Sequence, residues 1–328
     1  MTNDSTEELI QVKDLCKMFP ASRNSLFGKK IYAHAVNHVS FSIRKGETLG
    51  IVGESGCGKS TLGRCILRLM EPSTGEVSFS GKSLLKLSKE EMRNMRMKMQ
   101  IIFQDPYASL NPRMTVVEAV MAPLDAFQIG SKEDRLKRAR KILHIVGIDN
   151  QQMNRYPHEF SGGQRQRIDI ARALVLDPDF VVCDEPVSAL DASVRASVLN
   201  LMKKLQRQFG LTYLFISHDL SVVKHISDRV AVMYLGSIVE LADTHDLYES
   251  PAHPYTKALL AAIPLPDPTQ RRKDIPIIGE MPSPYNIPSG CPFHNRCPYC
   301  TERCRKERPQ LQSIGGNHLA ACHEIHSL

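Results

Sequence analysis

The segment GESGCGKST, Gly53–Thr61, decides the fold class of this chain. It matches G-x-x-x-x-G-K-[ST], follows an apolar run typical of a strand (Glu47–Gly53) and opens a helical run, STLGRCILRLM. Glycines in such a loop let backbone N–H groups turn inward around phosphate oxygens, and the helix N-terminus adds positive potential. We therefore predict that Lys59 bridges the β- and γ-phosphates and that Ser60 binds Mg²⁺. The predicted nucleotide contacts are Gly53, Glu54, Ser55, Gly56, Cys57, Gly58, Lys59, Ser60 and Thr61.

A second apolar strand, Phe180–Asp184, ends in two acids that complete such a phosphate site. Parallel strands bring ligands to their carboxyl ends, so Asp184 is expected to hold the Mg²⁺ shell and Glu185 to polarise an attacking water. Two acids at a strand end are a weak signal alone, because such acids are often only solvated. Paired with the loop at Gly53–Thr61, they indicate nucleotide hydrolysis.

The alternation of strands and helices predicts an α/β core with a mainly parallel sheet. A third strand is expected at Thr212–Ser217. The helix before it should start at Asp191, end at Gly210 and bury one stripe of side chains. That stripe consists of Val194, Val198, Leu201, Leu205 and Phe209.

The middle of the chain predicts helices without a convincing strand. TVVE and SKED are capping-box starts, and the second opens a helix expected to bury Leu136, Ala139, Leu143 and Val146. We predict three regions on this basis. They are an α/β core at 1–105 and 173–250, a helical subdomain at 106–172, and a proline-rich connector with a cysteine-rich extension at 251–328.

The segment FSGGQRQR, Phe160–Arg167, places Ser161, Gly162, Gly163 and Gln164 at the start of a helix. A serine hydroxyl, bare backbone amides and a helix N-terminus form a second phosphate site. The segment resembles the LSGGQ signature of ATP-binding cassette (ABC) proteins, with Phe160 in place of leucine. The resemblance implies a P-loop nucleotide hydrolase of ABC type with an N-terminal antiparallel β part. It also implies that this signature contacts the ATP held by the P-loop of a second subunit.

Other positions match further ABC landmarks. Gln104 in IIFQDP resembles the glutamine that senses Mg²⁺ and the attacking water, Asp191 in SALD lies in a D-loop, and His218 in ISHD resembles the histidine that contacts the γ-phosphate. For the aromatic that stacks on adenine, the position before the P-loop favours Phe19. Phe27 and Tyr32 are the alternatives, because ASRNSLFGKKIYAHA resembles an insertion.

Most of the chain resembles the ATPase subunits of oligopeptide and dipeptide importers, particularly the F-type subunit. The matching segments are FQDPYASLNPRMTV, DEPVSALDASV, HDLSVVKHISDRVAVMYLG and HPYTKALLAAIPLPDP. The resemblance implies ATP and Mg²⁺ as cofactors. It implies a second ATPase subunit of D type, two membrane permeases and an extracytoplasmic solute-binding protein as partners. The residues leave open whether the ATPase partner is a second copy or a related subunit, and which solute is carried.

The end of the chain, CPFHNRCPYCTERC, is dense in thiols. In the importer family, four cysteines of this pattern hold a [4Fe–4S] cluster in some members, and Cys291, Cys297, Cys304 and Cys322 match it. Four thiolates also suit zinc, and Cys300 adds a C-x₂-C pair with Cys297. Zinc and a metal-free tail therefore stay as alternatives. Cys16, Cys57, Cys65 and Cys183 are expected to be unligated core residues.

Composition limits the remaining function classes. The 328 residues carry 42% apolar and 23% charged residues with a formal charge of +7, which suits about two globular domains. The acidic start MTNDSTEELI predicts no signal peptide, and no run reaches the ~18 apolar residues of a membrane span. We expect a peripheral protein at the cytoplasmic face of the membrane.

Two other functions are open alternatives at this stage. One is a soluble ABC ATPase that acts on nucleic acid or ribosomes; such proteins generally carry two cassettes or a long coiled coil, whereas this chain has one P-loop and no heptad segment. A nucleic-acid partner is therefore not expected. The other is an ABC importer for nickel or another small solute.

Overall fold

The computed structural model describes residues 7–20, 31–263 and 279–325, and the chain forms two compact units. The first unit comprises Met1–Arg44, Thr48–Lys86 and Ser217–Leu328, within the described ranges. The second comprises Lys45–Glu47 and Leu87–Ile216. The C-terminal extension thus belongs to the same unit as the P-loop.

The elements up to the middle of the chain are β1 (Glu8–Pro20), β2 (Tyr32–Arg44), β3 (Thr48–Val52), α1 (Lys59–Ile66), β4 (Thr74–Phe79), β5 (Lys82–Ser83), α2 (Lys89–Met95), β6 (Met99–Ile102), α3 (Pro106–Ser109), α4 (Val116–Ala126) and α5 (Lys132–Ile145). Those that follow are α6 (Gly162–Leu174), β7 (Phe180–Asp184), α7 (Ala192–Phe209), β8 (Thr212–Ile216), α8 (Leu220–Ile226), β9 (Arg229–Tyr234), β10 (Ser237–Asp243), α9 (Thr244–Glu249), α10 (Pro254–Ala261), α11 (Glu302–Lys306), β11 (Gln312–Gly315) and β12 (His318–Ala320).

An antiparallel sheet forms the N-terminal part of the first unit, in the strand order β2-β1-β4-β5. Strand β1 is central, since Val12 pairs with Phe41 on one side and with Val77 on the other. All three side chains are buried. Burial alternates over residues 10–13 of β1, as in a sheet with one solvated face, and the pattern breaks at the register shift between Val12 and Leu15. The predicted antiparallel β part is confirmed.

The predicted buried strands lie where the sequence indicates. In the first unit, β3 pairs in parallel with β9, and the antiparallel strands β10, β12 and β11 continue that sheet. In the second unit, β6, β7 and β8 form parallel pairs. Every residue of β3, β7 and β8 is buried, as expected of strands covered on both faces. The structure is therefore α/β with mixed sheets.

Helices fill the described chain between β6 and β7. Helices α4 and α5 begin at the predicted capping boxes, Thr115 with Glu118 and Ser131 with Asp134. The predicted inner face of α5 is largely right, although Leu136 is only half-buried. None of the helices in the described ranges has the length and apolar content to span a membrane.

One predicted core residue is wrong. Helix α7 ends at Phe209, and the next residue, Gly210, adopts the left-handed conformation of a helix cap, as expected. The Phe209 side chain, however, is 40% exposed. It lies in the last turn of α7 and lines an open groove with Ile142 and Lys141 of α5. The apolar stripe of α7 therefore extends to Phe209 in the sequence, although other parts of the protein no longer cover the helix there.

The C-terminal extension joins the first unit through a buried carboxylate. Strand β12 pairs with β10, and Glu240 of β10 is fully buried. Its carboxylate accepts hydrogen bonds from the backbone N–H groups of Ala252 (2.7 Å) and His253 (2.9 Å) and lies 2.7 Å from His318 Nε2. Burial opposes the charge, but these hydrogen bonds outweigh it and lower the pKa of Glu240.

Replacing Glu240 by glutamine tests this connection. Both carboxylate oxygens of Glu240 accept from backbone N–H groups, so the NH₂ group of a glutamine would face one of these donors. We therefore expect Glu240→Gln to lower the free energy of unfolding by about 3 kcal/mol. The measurement is guanidinium-induced unfolding of the full chain. Glu249→Gln is the matched control, because Glu249 is exposed at the end of α9 and its loss should cost about 0.5 kcal/mol or less. Equal shifts for the two variants would contradict the role given to Glu240.

Candidate nucleotide site and thiol cluster

The P-loop of the first unit connects β3 to α1 around the ammonium group of Lys59. Lys59 is buried, and its Nζ donates to the carbonyl oxygens of Gly53 (2.8 Å) and Glu54 (2.9 Å). Helix α1 starts at Lys59, so the backbone amides of its first turn point toward the loop. A buried lysine and the backbone amides of a helix start, brought together by a tight loop, are the chemistry of a phosphate cradle.

Two glycines of this loop pass close to backbone carbonyls. A Cβ at Gly53 would lie 2.1 Å from the Met233 carbonyl oxygen, and a Cβ at Gly58 would lie 1.9 Å from that of Ala35. Both glycines have positive φ, +154° and +106°. Only glycine fits these positions, which explains the fixed spacing of the motif.

Glu54 is held at three points within the first unit. Its backbone N–H donates to the Tyr255 hydroxyl (3.0 Å), and its carboxylate accepts from Nη1 of Arg296 at 2.9 and 3.2 Å. Its carbonyl accepts from Lys59. The sequence analysis assigned no role to Tyr255 or Arg296. The one available signal was an arginine among the cysteines of the tail.

The acidic strand end lies in the second unit. Asp184 is buried at the C-terminus of β7, and Glu185 follows it, half-buried. Gln104, on the loop after β6, donates from Nε2 to Glu185 Oε2 at 3.1 Å. Two predicted catalytic side chains are therefore in direct contact.

Glu185 has an uncommon backbone conformation. Its φ is +48°, in the left-handed region that non-glycine residues rarely adopt. Its N–H donates to the Ile216 carbonyl (3.0 Å), and its carbonyl accepts from the Ser188 hydroxyl (3.0 Å). Bonds on both sides of the residue hold this conformation, as is often the case for functional residues.

The signature segment starts α6 as predicted. Ser161 is exposed at the N-cap and forms a capping box with Gln164. Gly163 faces α7, and a Cβ there would lie 2.2 Å from Val194 Cγ1, whereas one at Gly162 would meet Leu190 Cδ2 at 3.5 Å. Gly163 thus lets α6 and α7 pack closely beside the exposed cap.

A buried acid in α6 contacts the segment after β6. Asp169 is fully buried, and its carboxylate accepts from Ser109 Oγ (2.9 Å) and Arg172 Nη2 (2.5 Å) and, more weakly, from the Phe103 N–H (3.4 Å). Burial raises the pKa of Asp169 even with Arg172 beside it. The segment that carries Gln104 is therefore bound to the signature helix.

The remaining predicted site residues lie at element ends. His218 is exposed after β8, in the first unit, and Asp191 is the N-cap of α7 without a side-chain hydrogen bond to it. Phe19 is half-buried on β1, with Lys17 Nζ 5.1 Å from its ring centroid, and Tyr32 is exposed at the start of β2. Phe27 lies outside the described residues, so the adenine contact stays a prediction.

The four predicted tail ligands line one small cavity, which His253, His294 and His323 also line. They are Cys291, Cys297, Cys304 and Cys322. A backbone hydrogen bond links two of them directly, since the Cys291 N–H donates to the Cys304 carbonyl (2.8 Å). Cys300 does not line this cavity, and its Sγ lies 3.5 Å from the Thr301 carbonyl oxygen.

Burial raises the pKa of Cys291 to about 12 and of Cys297 to about 11, and the neighbouring thiols add to the effect. In the arrangement observed, no group of three or more His, Cys, Asp or Glu side chains in the described ranges could hold a metal ion. The donor set fits a cluster or zinc by number and type, but ligation needs loss of thiol protons and closer approach of the sulfurs. Cys16, Cys57, Cys65 and Cys183 are buried elsewhere.

Comparison with known proteins agrees with this geometry. Residues 36–188 match the family model "ABC transporter", and residues 239–304 match "Oligopeptide/dipeptide transporter, C-terminal region". The chain is 50% identical over 327 residues to the oligopeptide transport ATP-binding protein AppF of Bacillus subtilis, covering 98% of this chain and 99% of AppF.

Solved structures with the same fold include the dimeric ATP-binding cassette MJ0796 in a post-hydrolysis state bound to ADP and phosphate. It has 30% identity and a TM-score of 0.63, and the match covers 72% of this chain and 98% of that one. The structure of cbiO1 from Clostridium perfringens, part of the ABC transporter complex cbiONQ, has 27% identity and a TM-score of 0.64 over 74% and 92% of the two chains.

These observations define an ATP-binding cassette protein, an ATPase that uses ATP with Mg²⁺. The predicted fold class is confirmed. With its second matched region and its similarity to AppF, the chain belongs to the ATP-binding subunits of oligopeptide and dipeptide ABC transporters.

The close packing of Gly163 against Val194 can be tested with a destabilising substitution at Gly163 and a second substitution, at Val194, that restores stability. Gly163→Ala places a methyl group against Val194, and we expect a destabilisation of about 2 kcal/mol, typical of overpacking. Val194→Ala removes the atom that clashes, so the double variant should recover most of the loss. Gly162→Ala is the matched control for stability, because its methyl meets only ordinary contact distances. A double variant no more stable than Gly163→Ala would show that another contact requires the glycine.

Proposed function

We propose that this chain binds and hydrolyses ATP to drive the import of peptides through an ABC transporter. The observation that carries the proposal is the contact of Gln104 with Glu185 beside Asp184, on a chain whose C-terminal region matches the oligopeptide/dipeptide transporter family. The name of its relative AppF, an oligopeptide transport protein, supports peptides as the solute.

In the proposed mechanism, each predicted site residue has one task. Lys59 would neutralise the β- and γ-phosphates, and Ser60, Gln104 and Asp184 would hold Mg²⁺, which would supply further charge neutralisation. Glu185 orients the attacking water and accepts its proton. Because phosphoryl transfer needs mainly positioning and charge neutralisation, these groups suffice. His218 contacts the γ-phosphate in this scheme, and Phe19 stacks on adenine.

The signature residues act on the nucleotide of a second subunit. Ser161, Gly162, Gly163 and Gln164 offer a serine hydroxyl and helix-start amides, and Asp191 lies in the adjoining loop. Dimers of the related cassette MJ0796 support this arrangement. Glu185 and Ser161 are both present here, so this subunit supplies one intact face of each kind and needs a partner for both sites. We propose a related, D-type subunit as that partner.

Membership of the family supports the proposed partners and location. ABC importer ATPases of peptide systems work with membrane permeases, and we propose two permeases, with a solute-binding protein that delivers the peptide outside. The chain would then lie at the cytoplasmic face of the membrane. Residues 106–172 would be the helical subdomain that moves with the permeases, and 1–105 with 173–250 the core. The connector within 251–328 includes residues 264–278, which lie outside the described ranges.

We also propose that the thiol cavity holds a [4Fe–4S] cluster, with zinc as the chemical alternative. Cys291, Cys297, Cys304 and Cys322 would be the ligands, because they share one cavity and Cys300 does not. Such a centre would supply structural cross-links to a tail with little apolar core. Deprotonation of the buried thiols would accompany ligation.

Glu185→Gln tests the proposed function. The glutamine cannot accept the proton from water, so we expect hydrolysis to fall at least about 100-fold while ATP binding persists and a closed dimer accumulates. Peptide uptake by cells that carry only this variant should stop. The measurements are phosphate release by the purified transporter and uptake of a labelled peptide. Normal hydrolysis would refute the role of Glu185, and normal peptide uptake with nickel uptake lost would refute the solute.

Cys297→Ser and Cys300→Ser test the thiol cavity as a matched pair. We expect Cys297→Ser to lose the visible absorption and bound iron (or zinc) of the anaerobically purified protein, because it removes a ligand. Cys300→Ser should keep both. Elemental analysis distinguishes iron from zinc. The ligand assignment is wrong if wild type carries no metal or if only Cys300→Ser loses it.

A further inference from the structure

We propose that Arg296 of the C-terminal extension is a positioning residue of the nucleotide site, where it neutralises the carboxylate of Glu54 and fixes the P-loop. The proposal rests on the nucleotide site described above, and it gives the extension a direct part in ATP affinity. Neither residue of this pair was assigned that role by the sequence motifs.

The contact is well enclosed on the side of the extension. Arg296 is 8% exposed, and its Nη1 contacts both oxygens of the Glu54 carboxylate at 2.9 and 3.2 Å. The guanidinium carbon lies 5.8 Å from the ring centroid of Tyr234, a favourable position for a cation beside an aromatic ring. A partly buried ion pair of this kind is screened less by solvent than a surface pair.

The aromatic residues around the pair form a rigid support. The rings of Tyr234, Tyr255 and Phe293 pack on each other with centroid separations of 4.8 to 5.4 Å. The Tyr255 hydroxyl accepts from the Glu54 backbone N–H (3.0 Å), and the Phe293 carbonyl accepts from the Arg296 backbone N–H (2.9 Å). The same support therefore holds both partners of the ion pair.

The charge of Glu54 explains why the loop needs this arginine. Glu54 follows Gly53 in a loop that receives a triphosphate. A carboxylate in this loop repels the negatively charged ligand unless a cation compensates its charge. Arg296 offsets that charge and directs the carboxylate toward the extension. With the side chain held, the Glu54 carbonyl stays in place for Lys59. Charge compensation and positioning act together on nucleotide affinity.

Binding of Mg²⁺ with adenylyl imidodiphosphate to the full chain tests the proposal at two ionic strengths. Arg296→Met should weaken binding about tenfold at low salt and less at high salt, because salt screens the repulsion between the phosphates and the carboxylate that has lost its cation. Arg296→Lys should retain most of the affinity. Arg296→Met with Glu54→Gln should recover it, since the repelling charge is gone. If Arg296 only stabilised the fold of the C-terminal extension, Glu54→Gln would not restore the nucleotide affinity that Arg296→Met loses.

Two controls separate the possible failures. Arg303→Met removes an exposed ion pair with Glu307 in the same extension and should leave affinity unchanged. Lys59→Ala must lose affinity; if it does not, the nucleotide site itself is wrong. Two outcomes would refute the role of Arg296, provided that Lys59→Ala weakens binding. In one, Arg296→Met leaves affinity unchanged, as Arg303→Met does. In the other, the double variant binds as weakly as Arg296→Met alone.

A further variant keeps the proposal testable if Arg296→Met does not fold. Glu54→Gln removes the loop carboxylate and leaves the arginine, so affinity at low salt should rise about threefold. Thermal unfolding of each variant shows whether it is folded. Equal or lower affinity of the folded Glu54→Gln variant would overturn the charge compensation.

Discussion

The P-loop passes between two backbone carbonyl oxygens, and this close approach constrains the rest of the first unit. The carbonyls of Met233 and Ala35 leave no room for a side chain at Gly53 and Gly58. Met233 belongs to β9 and Ala35 to β2, so the loop is held by the parallel strand pair and by the antiparallel sheet at once. Glycine adopts positive φ at both positions without steric cost, and its lack of a side chain lets these strands enclose the loop so closely.

The fold could be predicted well from the sequence because its signals are local. The buried strand at Phe180–Asp184 and the capping boxes of α4 and α5 are each encoded within a few residues, and the structure has them at the predicted places. Phe209 fails for a tertiary reason. Periodicity shows which face of a helix is apolar, but it does not show how far along the helix that face is covered.

The candidate site was predictable only where residues act through motifs. Gln104 and Glu185 were identified separately, and their direct contact depends on the pairing of β6 with β7. The contacts of Asp169 with Ser109 and of Arg296 with Glu54 were missed because the two residues of each pair are distant in sequence. An acid among the apolar residues of α6 and an arginine among cysteines were the only indications. Neither indication shows which residue the side chain contacts.

The pairing of residue 54 with residue 296 has a consequence for exchange of parts between related cassettes. The P-loop lies within one matched family region, 36–188, and Arg296 lies within the other, 239–304. A hybrid that joins the cassette of one protein to the extension of another would bring together residues selected in different backgrounds. On the proposed role of Arg296, a chimera that keeps full nucleotide affinity has to transfer Glu54 and Arg296 together.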